Sequence, residues 1–196
     1  MGCDIHSVIQ IKREWDNRWK TVALDIGDNR NYNSFAVYAD VRNGSGFAGC
    51  DTGEGWNPIA SPRGLPKDFP VTEECVHGVE LPEEQKAPMS QWMGNHSHSW
   101  LLLSEMLEKW KSLEGKQYEI HGYVDNDEYE RTLAVGKPPT EWCGGTSRTD
   151  VVKAKWKVPA HERLYMMRNH IAIMDAIAKA EDLKPERVRL VFGFDS

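Results

Sequence analysis

From Asn43 to Pro70 the chain reads NGSGFAGCDTGEGWNPIASPRGLPKDFP, twenty-eight residues so rich in Gly and Pro that no long helix or strand can run through them. Stretches without regular structure longer than about 12 to 15 residues are usually functional or disordered. Here Phe47, Trp56, Ile59, Leu65 and Phe69 are spread along the segment, and they favour an ordered loop that packs. The fold must therefore be built from elements before and after this loop, with the loop closing over them.

Before it, Cys3, Ile5, Ile9 and Ile11 fall on one face of a period-two pattern, while Asp4, His6, Gln10 and Lys12 fall on the other. That is the signature of a strand with one buried face. Asp16-Asn17 supplies a turn before Trp19 to Leu24, so the opening reads as a β-hairpin. Asn31 to Val41 suits either a short helix or a strand.

After the loop, Trp100, Leu103, Leu107 and Trp110 recur at helical spacing, with Ser97 or Ser99 as N-cap and Gly115 past the end. Tyr118 to Val124 reads as a strand. Asp125 with Glu128 forms a capping-box pattern for a short helix ending before Gly136. Val151 to Val158 alternates as a strand. Leu164, Met167, Ile171, Met174 and Ala178 line one face of a longer helix, and the closing VRLVFGFD reads as a half-buried strand. The expected class is α+β, a mainly antiparallel sheet that begins with the N-terminal hairpin and is packed by two longer helices. The length suits a single domain spanning residues 1–196.

A net charge of −6 argues against general nucleic-acid binding, which calls for a basic stripe that displaces phosphate counterions. No apolar run is long enough to span a bilayer. Cys3, Cys50, Cys75 and Cys143 lie far apart with no Cys-x-x-Cys pairing, which favours free thiols in a reducing cytoplasm. The opening MGC has the outline of an acylation signal, but His6 stands where that pattern needs Ser or Thr.

Four motifs bear on chemistry. Asp4-x-His6 puts a carboxylate and an imidazole on the same strand face, within reach of one metal ion, although about one acid-x-His pair is expected by chance in a chain of this composition. His96-Ser-His98-Ser99, placed before the expected helix, would meet a field that keeps imidazole neutral and backbone N–H groups that welcome phosphate. Gly44 to Gly49 matches G-x-G-x-x-G, yet no helix can follow it, so the dinucleotide-binding context fails. Asp51-Thr52-Gly53 has the aspartic-protease triplet in a single copy, whereas that chemistry needs two carboxylates.

In order along the chain, Asp4-x-His6, Ala39-Asp40-Val41-Arg42-Asn43, Gly94-Asn95-His96 and His121 resemble the motif order of calcineurin-like metallophosphoesterases, a likeness that implies a metal-dependent phosphodiesterase-like hydrolase. The chain departs from that pattern at Ala39 and Asn43, in the hairpin after the first motif, and in lacking a closing Gly-His-x-His. A second resemblance covers nearly the full length. The segments MGCDIH, FAVYADVRNGSGFAG, DTGEGWNPI, PRGLP, HSHSWLLLSE, WCGG and VRLVFGFD are similar to those of an uncharacterised tailed-bacteriophage and prophage protein family. That resemblance implies residence in a host bacterial cell and counter-defence, with no assigned activity.

Together these readings give an expected pocket for a small phosphorylated, nucleotide-type ligand. Asp40, Arg42, His96, His98 and Trp56 would bind it, with phosphate on Arg42 and a base stacked on Trp56. The protein would sequester or cleave an immune signal nucleotide. As an enzyme it would hold a divalent metal (Zn, Mn or Mg) on Asp4, His6 and His96. A third reading is a non-enzymatic inhibitor of a host protein, and the oligomeric state stays open.

Overall fold

The computed structural model describes residues 2–24, 26, 30–71, 83, 86 and 91–195. Cys75 lies outside them. Strands β1 (Asp4–Ile11) and β2 (Lys20–Leu24) form the expected hairpin, and α1 (Tyr32–Ala39) resolves the ambiguous segment as a helix. Asn31 decides that outcome locally, since its side-chain oxygen accepts the Ser34 N–H at 2.7 Å and caps the helix. After the Gly-rich loop come β3 (His96–Leu102), α2 (Leu103–Ser112), β4 (Gln117–Asp125), α3 (Asn126–Val135), β5 (Val151–Pro159), α4 (Tyr165–Ala180) and β6 (Val188–Asp195). The class is α+β, with two antiparallel sheets ordered β2-β1-β6-β3 and β4-β5.

Three expectations are corrected. The helix after HSHS begins at Leu103, and the HSHS residues belong to β3. Its first turn is closed by Glu105, whose carboxylate accepts the Leu102 N–H at 2.8 Å, so neither Ser97 nor Ser99 caps it. Secondly, α3 starts after Asp125 without a side-chain cap; the Glu128 carboxylate is taken by Arg131 and by the Thr140 N–H instead. Thirdly, β6 is buried on both faces apart from its last residue, because it is a central strand with β1 on one side and β3 on the other.

One face of the larger sheet carries Ile5, Ile9 and Ile11 of β1 with Leu190, Phe192 and Phe194 of β6, and α1 packs there through Phe35 against Phe194 and Tyr38 against Phe192. The other face carries Val8, Val191 and Arg189 under a cover of aromatic side chains, in which the Arg189 guanidinium sits 4.2 Å from the Trp19 ring. Among the described residues no helix is long and apolar enough to cross a membrane.

The Gly-rich loop is ordered and bound to the smaller sheet. Gly53 bridges Ile120, the Glu54 N–H donates to the Glu119 carbonyl, and the His121 N–H donates to the Thr52 carbonyl. Gly53 is required by this approach: a Cβ there would lie 2.3 Å from the Tyr118 hydroxyl.

Candidate ligand-binding site

The open ends of β1, β3 and β6 bring many of the motif residues together, and the sheet sorts them by face. Asp4 and His6 pair across to Asp195 and Gly193, and His98 packs against Gly193, so these side chains share one face. His96 pairs with Phe194 and stacks on its ring, which puts it on the opposite face with Cys3. Two residues apart in a regular strand, His96 and His98 would point the same way. Ser97 has a φ of 50°, and the register slips between His96 and Ser99, so a bulge sends the two imidazoles to opposite sides.

Each of these groups already has a partner. Asp4 is gripped by both ends of the Arg30 guanidinium, whose hydrogen bond holds the carboxyl below its usual range. His6 Nε2 meets Asp195 Oδ2 at 3.0 Å, and its ring lies edge-on to Trp92. His98 Nε2 is 3.1 Å from the Gly94 carbonyl oxygen. His96 faces Cys3 Sγ at 3.9 Å and Ser97 Oγ at 3.0 Å, and burial, followed by the nearby His98, pushes it below the ordinary histidine range. Burial in turn raises the Cys3 thiol, against the opposing charge of Arg42. Among the described residues no group of three or more His, Cys, Asp or Glu is placed to hold a metal ion. The expected ligand set Asp4, His6 and His96 is divided by the sheet itself.

Asp40 and Trp56 act within the loop. Asp40 ends α1 in the left-handed conformation and accepts from Asn43 Nδ2 at 2.6 Å, while Asn43 grips the backbone N–H and carbonyl of Trp56. The Trp56 ring is buried, donates to Asn33 Oδ1 at 3.0 Å and stacks on Tyr118 at 4.2 Å. One of its faces is therefore already occupied. Arg42 lies over the Tyr32 ring at 5.9 Å.

The most ligand-like geometry adjoins this cluster and was not read from the sequence. A cleft of about 470 Å³ is lined by Arg30, Tyr32, Phe47, Trp142, Arg163 and Tyr165, and among the described residues no Asp or Glu lines it. Phe47 is 62% and Tyr165 40% exposed, large apolar surface held at the rim of a cationic hollow. Arg163 stands over the Trp142 ring at 5.5 Å, with its Nε buried and without a hydrogen-bond partner. Burial pulls it below the ordinary arginine range, against smaller opposing contributions from Tyr118, Tyr165 and Glu162. The cleft offers a guanidinium with an orphaned Nε, a second one on Arg30 and four aromatic rings, the complement of a flat anion.

Sequence signals for this site were thin. Trp142 lies in the WCGG segment, and Phe47 in the Gly-rich loop, but Arg163 precedes α4 in a stretch with no motif. The chain matches no family model, no curated protein and no solved structure.

Proposed function

We propose that the protein binds a small anionic, nucleotide-type ligand in the cleft beside Arg163. The observation that supports this is the Arg163 side chain: a half-buried cation with an orphaned Nε, stacked on Trp142 in a hollow without carboxylates. A buried polar group with no partner costs about 1–3 kcal/mol, and a phosphate arriving at Arg163 would relieve that cost with a charge-assisted hydrogen bond. The rings of Trp142, Phe47 and Tyr32 supply stacking for a base, which is tolerant of base identity. Arg30 provides a second cation at the mouth, already balanced by Asp4. With the resemblance to a tailed-phage family, this reading extends to counter-defence, in which the protein sequesters a host signal nucleotide.

Calorimetric titration with AMP, ATP and cyclic dinucleotides tests it. Saturable binding is expected for at least one of them, weakened about tenfold or more by Arg163→Met or Trp142→Ala. Absence of binding across the panel, or affinity unchanged in Arg163→Met, overturns it.

A further inference from the structure

Across the Gly-rich loop from the first cleft lies a second, of about 690 Å³, with Gly44, Glu54, Trp56, Lys109, Lys116 and Tyr118 in its wall. Lys109 is a half-buried residue of α2 whose ammonium donates to the Asn57 carbonyl oxygen at 2.6 Å, a neutral acceptor that leaves its charge uncompensated. Lys116 is exposed in the turn before β4. Burial and then the charge of Lys116 hold Lys109 below the ordinary lysine range, and no carboxylate acts on it in the opposite direction.

The carboxylates in the same wall have other partners. Asp51 meets His121 at 2.7 Å and Lys153 at 3.1 Å, and Glu54 accepts the Glu119 N–H at 2.9 Å. Asp51 is ion-paired with Lys153, whereas Glu54 holds only a neutral backbone N–H, so the wall sets two ammonium groups against one carboxylate.

We infer that this second cleft is a separate binding site for a small phosphate-class oxyanion, held between Lys109 and Lys116 beside the Trp56–Tyr118 stack. Ammonium groups act on phosphate oxygens as compact point charges, so a pair of lysines suffices without the planar fork an arginine supplies. The two clefts lie on opposite sides of one ordered loop, and occupancy of this one requires nothing of Arg163.

The test is calorimetric titration of the full chain with inorganic phosphate. Saturable binding is expected, about tenfold weaker in Lys116→Gln and in Lys109→Met. Lys116→Gln is the deciding variant, because its side chain is exposed and its loss leaves the Lys109 contact with Asn57 intact. No saturable phosphate binding, or affinity unchanged in Lys116→Gln, overturns the proposal. If phosphate binds as expected while the nucleotide panel fails, this site stands and the reading of the first cleft falls.

Discussion

The sheet end and the Arg163 cleft are neighbours joined through Arg30 and Tyr32, yet they treat their polar groups in opposite ways. At the sheet end Asp4, His6 and His96 are each matched by a partner from another segment, and His98 by the Gly94 carbonyl just before its own strand. In the cleft Arg163 is half-buried and its Nε has none. A set of mutually satisfied groups stabilises the fold and has little left to offer a ligand, whereas a half-buried cation with an unsatisfied N–H weakens the fold and is available. Density of suggestive residue types is therefore a poor guide to the site compared with a missing partner.

Stability measurements can break this contrast. Phe194→Ala should be the most damaging change, about 3–5 kcal/mol by denaturant unfolding, since the ring is fully buried between Phe35, Phe192 and His96. Gly193→Ala follows at about 1–3 kcal/mol, because the new Cβ would stand 2.1 Å from the Met93 carbonyl oxygen and 2.6 Å from the His98 ring. A mild effect at either position would mean that the sheet end is looser than its pairing implies.

Arg163→Met should move the other way, with unfolding free energy up by about 1 kcal/mol as nucleotide affinity is lost, since Met keeps the contact with Trp142 and removes the orphaned Nε. A destabilised Arg163→Met would show that the guanidinium serves packing and would erase the distinction between the two regions.

The smallest effect is a pH slope. His96 is held below its unfolded value, so as pH falls through about 6.5 the unfolded chain takes up a proton before the native one does, and stability declines. Replacing His96 with Asn should flatten the unfolding free energy as pH falls below about 6.5. An unchanged slope would assign the titration to another group.

Local pattern was enough for β1, for the β1–β2 hairpin, for β4 and β5 and for α4, because in each the apolar residues repeat at the period of the element. It misjudged β6, whose alternation of Val and Phe with Arg and Gly suggested one wet face. Arg189 is buried there because Gln10 and Asp68 take its N–H groups, and those partners come from distant segments. HSHSWLL was misread for a related reason. Its apolar spacing fits the helix that begins at Leu103, but pairing with β6 draws the first seven residues into the sheet.

The sequence by itself determined the α+β class, the hairpin at the start, the long packed loop and the face of β1 that is buried, since these follow from periodicity and from the backbone limits of Gly and Pro. Only the tertiary structure decided which polar groups meet. The φ of 50° at Ser97 that separates His96 from His98, the Arg30 grip on Asp4 and the orphaned Nε of Arg163 over Trp142 all depend on neighbours far away in the chain. Hydrogen-bond partnership is a property of three-dimensional contact, and a residue left without a partner carries no mark of it in the sequence.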